Sequence, residues 1–479
     1  MFTLDRDSPV PLADQIEARL RALFESGQLS AGAKLPSIRT LARQLGASPN
    51  TIVTAYDRLV AAALIESRGT AGFFVCEAAA QQPFQAQLEA GEEHDPVWFV
   101  QQAHDQRAGV LPASSGALPV SWLEDAIPAT VVQRGLARAN GGMAARCPPQ
   151  GLPELRERLA AFMRGQGLAV DASRVLTTHG GTHAIDLVCR AFLQPGDAVM
   201  VENPGYFLLF DRLRQMGVRL VPITRRPDGP DLAQIEAACA EHRPRLFFVQ
   251  SVLHNPTGWG SSAANLHRVL GLADRHGFLL AEDDVQGHFH PGHATRLAQL
   301  SELRGVIYYS SFCKALSPAL RLGYVAAEPQ WLKPLLREKI LSVLTTPALN
   351  EYVLLELLST GRVRKHIDRL QQKLGAARGQ ATKQLRGAGV LLDHPGEGGL
   401  FLWGTVPHGV DVDELVKDAY RNGILLSRGG TFMADGASDP HLRFNVIFSQ
   451  HARLAEYLSQ RLAAMSSARR VLARVASIR

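Results

Sequence analysis

The front of the chain places its apolar residues with the spacing of short helices. In "LADQIEARLRALFESG" apolar residues recur every three or four positions, which predicts a helix that ends at Gly27. A second helix, "SIRTLARQLG", is predicted to end at Gly46, and a third begins with Ser48 as N-cap and Pro49 in its first turn. Two short helices joined by a tight turn predict a helix-turn-helix within residues 8–75.

The stretch "IESRGTAGFFV" places two short runs around Gly69 and Gly72, which predicts a hairpin after the third helix. Polar side chains on the first turns of that helix, and arginines beside it, are where a DNA duplex would be met. These residues are Arg39, Asn50, Thr51, Thr54 and Arg68. An ordinary three-helix bundle whose arginines face water is the alternative.

The pattern changes after the hairpin. Residues 77–113 lose the periodicity and are rich in Gln, Ala and Glu, which predicts a linker, in part helical, whose end folds against the next domain. From residue 114 to 465 strand-like and helix-like segments alternate, as in "RVLTTHGG" and "THAIDLVCRAFL". This alternation predicts an α/β domain with a mainly parallel sheet covered by helices on both faces. Residues 466–479 form a basic tail, either a solvated helix end or a segment that meets a polyanion.

Ligands of such sheets lie at the carboxyl ends of the strands, where this chain places polar and glycine residues. These residues are Gly180, Gly181, Thr182, Tyr206, Asn255, Asp283, Ser311 and Lys314. A glycine pair opening a helix can bind an anion, a lysine in an apolar setting can form a Schiff base, and a buried carboxylate can pair with a pyridinium nitrogen. Together they predict a pyridoxal 5′-phosphate site. Singly, they could be a strand-to-helix turn, an exposed lysine, or, in "EDD", a helix cap or a divalent-metal site.

Composition adds little to the choice of protein class. The 479 residues are 46% hydrophobic and 20% charged, without a run of 18 apolar residues, and the polar start predicts a cytosolic protein. Five cysteines without CxxC spacing predict free thiols and no zinc site. A formal net charge of +6 permits nucleic-acid binding without requiring it.

The stretch from "GAKLPSIRTLARQLG" through "SRGTAGFFV" resembles the winged helix-turn-helix of GntR-type bacterial regulators. The resemblance implies binding to double-stranded operator DNA. The DNA-facing residues that it implies are Arg39, Asn50, Thr51, Tyr56 and Arg68.

From about residue 115 to 465 the blocks "HNPTG", "AEDD" and "SSFCKALSPALRLGY" are similar to those of fold-type I aminotransferases, which have a small C-terminal α+β subdomain. With the front module, the whole chain resembles the MocR subfamily of regulators. The resemblance implies that Lys314 holds pyridoxal phosphate as a Schiff base and that Asp283 pairs with the ring nitrogen. It also implies that Asn255 bonds the ring hydroxyl and that Tyr206 stacks on the ring. Arg443 would bind the carboxylate of an amino acid. The phosphate would be gathered by Gly180, Gly181, Thr182, Ser311 and Arg321.

The subfamily implies a bacterial cytoplasmic homodimer that senses pyridoxal phosphate or an amino compound. An active aminotransferase with a fused DNA-binding module is the alternative, and a regulator whose cofactor site has decayed is a third possibility. Two departures from the family, Val285 for a tyrosine after "EDD" and Arg146 for a tyrosine that reaches the neighbouring subunit, favour sensing over transamination. Three histidines at positions 288, 290 and 293 are predicted to lie in a polar surface loop and not to bind a metal.

Overall fold

The computed structural model of this chain describes residues 4–6, 8, 10–25, 29, 32–61, 64–76, 95–104, 110–139, 146–392 and 394–476. Contacts divide the chain into two compact units. The small unit holds the amino-terminal residues, and the large unit holds most of the residues after 110.

The small unit consists of three helices and a two-stranded hairpin. These are α1 (Leu12–Glu25), α2 (Ile38–Leu45), α3 (Pro49–Ala61), β1 (Ile65–Ser67) and β2 (Phe73–Val75). Gly46 ends α2 in the left-handed conformation, at φ 62°, as predicted. The Ser48 side chain accepts a hydrogen bond from the Thr51 N–H at 3.1 Å, which confirms it as the cap of α3. The predicted helix end at Gly27 lies outside the described residues.

The hairpin forms as predicted and pairs β1 with β2 in antiparallel register, from Ile65 opposite Val75 to Ser67 opposite Phe73. Gly69 and Gly72 in its turn have φ values of 60° and 106°, which residues other than glycine rarely adopt. The helix-turn-helix with its wing is therefore present.

Buried apolar residues from all three helices and from the hairpin form the core of the small unit. Ile16, Leu41, Ile52 and Tyr56 are at most 3% exposed. The Tyr56 hydroxyl donates a hydrogen bond to the Pro36 carbonyl oxygen at 2.8 Å. Because the Tyr56 ring is buried in the core and its hydroxyl is hydrogen-bonded within the small unit, the prediction that Tyr56 faces DNA is wrong.

An eight-stranded sheet organises the large unit. Its strands are β3 (Val175–Thr178), β4 (Ala198–Asn203), β5 (Arg219–Arg226), β6 (Gly229–Pro230), β7 (Leu246–Val249), β8 (Leu279–Asp283), β9 (Val306–Ser311) and β10 (Gly323–Ala326). Their order is β3-β10-β9-β8-β7-β4-β5-β6. The five strands from β9 to β5 run parallel, whereas β10 and β6 are antiparallel to their neighbours.

Helices cover the large unit's sheet on both faces. The helices described in this unit are α4 (Pro96–His104), α5 (Val120–Leu123), α6 (Ala129–Arg138), α7 (Pro153–Arg164), α8 (Gly181–Phe192), α9 (Phe207–Gln215), α10 (Leu232–His242), α11 (Ala263–His276), α12 (Leu297–Ser301), α13 (Pro329–Val343), α14 (Ala348–Ser359), α15 (Arg362–Gly387), α16 (Val412–Arg421) and α17 (Ala452–Ala476). Buried residues of α7, α10, α11 and α14 pack in one cluster, and those of α8, α9 and α13 pack in another. This layering confirms the predicted α/β class.

A second, smaller sheet follows in the chain and is antiparallel. It consists of β11 (Phe401–Thr405), β12 (Ser427–Arg428) and β13 (His441–Asn445), in the order β11-β13-β12. Buried residues of α15, α16 and α17 pack against it, among them Leu374, Leu415 and Leu458. This is the predicted C-terminal α+β subdomain.

Both segments that flank the large unit in sequence contain helix. Helix α4 lies within the segment assigned to the linker, yet Trp98 and Phe99 are at most 9% exposed, and the Trp98 ring lies 5.1 Å from the Tyr420 ring. Apolar burial therefore fixes α4 on the large unit, in keeping with a segment predicted to be in part helical with its end folded against the next domain. At the other end, α17 continues through Ala476, so residues 466–476 are the end of a helix, which is one of the two alternatives predicted for the basic tail. Among the described residues, no helix has the length and apolar character needed to cross a membrane.

Candidate cofactor and ligand site

The polar residues predicted at the strand ends meet in one cavity of about 350 Å³ in the large unit. It lies at the carboxyl ends of parallel strands, because loops that follow such strands emerge at the same sheet edge. The predicted residues that line it are Gly181, Thr182, Tyr206, Asn255, Asp283, Ser311, Lys314, Arg321 and Arg443. Gly180 lies beside it, since a Cβ on Gly180 would be 3.3 Å from an Arg321 guanidinium nitrogen.

One end of the cavity is suited to an anion. Helix α8 begins there, and Gly180 precedes it with a φ of 89°. A Cβ on Gly180 would lie 2.9 Å from the Cys313 sulfur, and one on Gly181 would lie 2.8 Å from Val285, so neither position has room for a side chain. The unpaired N–H groups of the helix start, together with Arg321 and Ser311, make this end attractive to a phosphate.

Lys314 and Asp283 supply the opposite charges of the cavity. Lys314 follows β9, and burial lowers the pKa of its amine to about 8, with Arg443 adding to the shift and Asp283 opposing it. Asp283 ends β8, and burial raises the pKa of its carboxyl to about 6. Its two oxygens accept hydrogen bonds at 3.0 Å from the Val285 N–H and the Gln250 amide, which stabilise the carboxylate. At neutral pH the site therefore holds a carboxylate and an amine that loses its proton easily.

Asn255 and Arg443 are joined to each other. An Arg443 guanidinium nitrogen donates to the Asn255 side-chain oxygen at 2.8 Å, and another donates to the Ser114 carbonyl oxygen at 2.6 Å. Burial lowers the Arg443 pKa to about 9. Within the described part of the chain, Arg443 has no carboxylate in salt-bridge range, and its Nε is buried without a hydrogen-bond partner. A buried guanidinium without a counter-ion is a site for a ligand carboxylate.

Four aromatic rings enclose the Arg443 guanidinium. Its central carbon lies 4.4 Å from the ring centre of Phe401, 4.7 Å from Phe432, 5.8 Å from Phe99 and 5.9 Å from Phe207. The ring faces stabilise the cation and exclude water from around it. Both effects strengthen its attraction for an anion.

Tyr206 immediately precedes α9 and lines the same cavity. Burial raises the pKa of its hydroxyl to about 12, and the Asp283 carboxylate contributes to the rise. The phenol is therefore neutral at physiological pH and offers both a ring face and a hydrogen-bonding hydroxyl.

The three acidic residues of "AEDD" have separate roles. The Glu282 carboxylate accepts hydrogen bonds from the Leu297 and Ala298 N–H groups at 2.8 Å, at the start of α12, so it caps that helix. Asp284 accepts hydrogen bonds from Arg296 at 2.8 Å and from the Tyr308 hydroxyl at 2.6 Å. Only Asp283 lines the cavity. Among the described residues, no group of three acidic, histidine or cysteine side chains is arranged to hold a metal ion.

The histidine segment differs from its prediction at one position. His288 is 3% exposed, and its ring stacks on Phe312 with the centres 5.1 Å apart and the planes 18° apart. The prediction of a polar surface loop is therefore wrong for His288. His293, in contrast, is exposed.

Sequence reasoning missed several lining residues. Gln250 follows β7 directly and holds both Asp283 and the Asn255 N–H, the latter at 2.8 Å. Because Gln250 directly follows an apolar strand, its sequence position could have predicted that it lies at the carboxyl edge of the sheet. Phe401 and Phe99 reach the cavity from the C-terminal subdomain and from α4, so only the folded chain reveals them.

The small unit presents most of the predicted DNA-facing residues at its surface. Arg39 and Asn50 are exposed, whereas Thr51 is half-buried and its hydroxyl lies 2.8 Å from that of Ser48. Arg68 is 2.6 Å from the Glu66 carboxylate and lies over the Phe74 ring at 4.6 Å. Both contacts hold the arginine on the wing, where the residue is exposed.

The fold and the cavity together define an aminotransferase-like protein that carries a winged helix-turn-helix. Comparison with family models agrees with both parts. Residues 109–460 match aminotransferase class I and II, and residues 12–75 match the bacterial regulatory proteins of the gntR family. The chain therefore belongs to the class I and II aminotransferases and, through its fused module, to the MocR-like branch of the GntR regulators.

Curated relatives include enzymes and regulators. The 2-aminoadipate transaminase of Thermus thermophilus is 31% identical over 73% of this chain and 89% of its own length. YdcR of Escherichia coli, named as an uncharacterized HTH-type transcriptional regulator, is 28% identical over 93% of this chain and 97% of its own length. The probable rhizopine catabolism regulatory protein MocR of Rhizobium meliloti is 28% identical over 69% and 68%. The match to YdcR extends over both units.

Among solved structures, LysN, the alpha-aminoadipate aminotransferase of Thermus thermophilus, superposes with a TM-score of 0.70 at 26% identity. The match covers 77% of this chain and 95% of LysN, which was determined in complex with N-(5′-phosphopyridoxyl)-L-leucine. Fused GntR-type and aminotransferase-like units, together with regulator relatives of the same organisation, make this chain a transcription regulator.

Proposed function

We propose that this regulator holds pyridoxal 5′-phosphate on Lys314 and that its binding to operator DNA responds to the cofactor or to an amino compound that joins it. The observation that carries the proposal is the shared cavity. A lysine with a pKa of about 8, a buried carboxylate and a glycine-lined helix start all lie around one space. The pyridoxyl-leucine ligand of LysN supports this assignment for the fold.

Each residue has a defined task toward that cofactor. The start of α8, Ser311 and Arg321 would hold the phosphate, because N–H groups and a guanidinium favour a dianion. Asp283 would keep the ring nitrogen protonated, and Tyr206 would pack against the ring. When bound, the cofactor supplies an aldehyde and an electron-withdrawing ring.

The remaining groups would serve the amino compound. Arg443 would hold its carboxylate, and Lys314 Nζ would accept or return a proton beside it, since its pKa lies near physiological pH. Asn255 connects the two halves of the site because it lines the cavity and bonds Arg443 at 2.8 Å.

Val285 supports sensing over turnover. Its side chain lines the cavity next to Gly181 and carries no hydroxyl that could bond the ring oxygen. A ring oxygen with fewer donors is less well tuned for catalysis. An active aminotransferase is the second candidate, favoured by the presence of Lys314, Asp283 and Arg443 together.

The small unit would bind operator DNA through α2, α3 and the wing. The exposed positions of Arg39 and Asn50, and the wing position of Arg68, support phosphate and base contacts there. We expect a cytoplasmic homodimer that reads two half-sites, since paired modules on one duplex are how such helices gain affinity and register.

The test begins with colour. Full-length protein incubated with pyridoxal phosphate and then dialysed should be yellow, and Lys314→Ala should be colourless. Lys333→Ala, at an exposed position of α13, is the matched control and should keep the colour. A colourless wild-type protein would contradict both the sensor and the enzyme.

The second stage separates the two candidates. Duplexes bound by the protein are selected from a random-sequence pool, and their affinity is measured with and without amino acids. A changed affinity without keto acid production supports the regulator. Steady keto acid production with unchanged DNA affinity supports the enzyme.

A further inference from the structure

Helix α15 carries the whole basic excess of the chain. Its 26 residues include eight lysines and arginines and a single acidic residue, Asp368. The complete sequence has 51 lysines and arginines against 45 acidic residues, so 43 cations and 44 carboxylates remain outside α15, a formal charge of −1. The net charge of +6 is therefore a property of one helix and not of the surface as a whole.

Five of these cations form a stripe along the exposed side of α15. At about 100° per residue their directions fall within roughly 80° of the helix circumference, and Asp368 lies outside that range. The stripe consists of Arg362, Lys365, Arg369, Lys373 and Lys383, all of which are exposed. At a rise of about 1.5 Å per residue it extends over ~32 Å.

The opposite side of α15 is buried in the large unit. Val363, Leu370, Leu374 and Leu385 are at most 2% exposed and belong to its apolar core clusters. This burial fixes the rotation of the helix about its axis and keeps the stripe directed away from the core. It also leaves α15 no apolar face with which to enter a membrane surface.

The stripe places equal charges next to one another. Lys365, Arg369 and Lys373 follow at intervals of four residues, and like charges at this spacing destabilise a helix. Elsewhere the chain uses the same spacing for an ion pair, as between Arg190 and Asp186 at 2.8 Å in α8. Among the described residues, no ion pair involves a cation of the stripe. A row of like charges that opposes helix stability is suited to an external polyanion.

We propose that the α15 stripe contacts the phosphate backbone of duplex DNA, as a second DNA surface besides the helix-turn-helix. Lysine and arginine side chains neutralise phosphates without reading bases, which requires a row of cations and no fixed pattern of donors and acceptors. Each DNA strand carries a phosphate about every 3.4 Å along the axis, so the stripe matches the length of about nine base pairs. The winged helix-turn-helix of the same chain brings this polyanion to the protein.

A second copy of the chain is a poorer partner for the stripe. Two stripes facing each other would repel, whereas the exposed apolar side chains that suit contact between protein subunits lie on α13. Ile340 and Leu341 of that helix are 40% and 68% exposed. The homodimer expected under the proposed function therefore has a better surface outside α15.

Neutral substitutions in the stripe test its contact with DNA. Full-length protein carrying Arg362→Gln, Lys365→Gln and Lys383→Gln together is compared with wild type over a salt series, on a selected duplex and on a scrambled duplex of equal length. Glutamine keeps the helix propensity, so the unfolding midpoint should not change. Each lost phosphate contact should reduce the slope of log affinity against log salt by about 0.9, a reduction of up to about 3 for the triple variant. Near 0.1 M salt its affinity should fall at least about tenfold on both duplexes, so the preference between them stays the same.

The control removes the same charge from three other elements of the large unit. Arg158→Gln, Arg219→Gln and Arg268→Gln change exposed positions on α7, β5 and α11, and this variant should keep the wild-type salt slope. Equal losses in both triple variants, or an unchanged slope in the stripe variant, would overturn the proposal. Unchanged duplex binding together with weaker binding to RNA or to vesicles of anionic phospholipid would overturn it as well, because the stripe would then serve another polyanion.

The proposed function is judged by a different measurement. Asn50→Ala should reduce the preference for the selected duplex and keep the salt slope on the scrambled one, since Asn50 lies outside the stripe. A wild-type protein that prefers no duplex sequence would contradict the proposed operator binding, whereas the role of α15 is decided by the salt slope alone.

Discussion

Lys314 should react with pyridoxal phosphate with a pH dependence that an exposed lysine cannot show. Its pKa is lowered from 10.5 to about 8 by burial. At pH 7 about one-tenth of such amines are neutral, against roughly 0.03% for an ordinary lysine, a difference of about 300-fold. The rate of cofactor capture should therefore rise about tenfold per pH unit below pH 7.5 and level off above about pH 8.5, once the amine is fully neutral.

Two neighbours should shift this profile in opposite directions. The Asp283 carboxylate stabilises the Lys314 ammonium, so Asp283→Asn should lower the Lys314 pKa and move the plateau to lower pH. The Arg443 guanidinium disfavours the ammonium, so Arg443→Met should raise the Lys314 pKa and move the plateau to higher pH. Each shift should be about half a unit to one unit.

Rapid mixing of cofactor-free protein with pyridoxal phosphate measures these rates through the growth of visible absorbance at constant ionic strength. Nα-acetyllysine, treated identically, corrects for the titration of the cofactor itself. A wild-type rate that still climbs tenfold per unit beyond pH 9 would refute the reasoning, as would equal shifts of the two variants in one direction.

Three further outcomes follow from individual contacts. Arg443→Lys should keep the colour but weaken amino acid binding by about 10- to 100-fold, because a forked pair of hydrogen bonds is lost; unchanged binding would contradict this role. Tyr56→Phe should destabilise the small unit by about 1 kcal/mol, because the hydrogen bond to the Pro36 carbonyl oxygen is lost. At temperatures where the unit stays folded, its DNA affinity should not change. A loss of DNA affinity in the folded variant would contradict the conclusion that Tyr56 does not face DNA. Arg225→Met should cost about 3–5 kcal/mol of stability, because it removes the guanidinium from a 2.6 Å ion pair with Glu202 whose side chains are at most 3% exposed. It should therefore lower the unfolding midpoint far more than Arg226→Met, whose side chain is 59% exposed; equal effects would contradict the estimate.

The residues at the strand ends were predictable because their position follows from topology alone. An apolar run that ends in polar residues places those residues at the carboxyl edge, so Asp283 and Lys314 could be expected in one cavity without knowledge of their contacts. The antiparallel direction of β10 was not predictable. A four-residue buried strand has the same apolar pattern in either direction.

The errors arose where a local pattern competed with burial. Tyr56 follows Ile52 by four residues and precedes Leu59 by three, so its helical spacing already placed it on the apolar face of α3. Within residues 77–113, by contrast, a helical part folded against the next domain was predicted, and the apolar pair Trp98 and Phe99 marks where it packs. Phe401 could not be assigned because it reaches the cavity from the second sheet.

The reversal of β10 also bears on how the site assembles during folding. Because β10 returns beside β9, with Gly323 opposite Ser311, the segment from Ser311 to Arg321 is a short loop between paired strands. The Phe312 N–H donates to the Leu322 carbonyl oxygen at 3.0 Å and closes that loop. Contacts so close in sequence cost little chain entropy to form, so the amine and the guanidinium can reach their relative positions early. Arg443, more than a hundred residues further along the chain, must await long-range pairing of the second sheet.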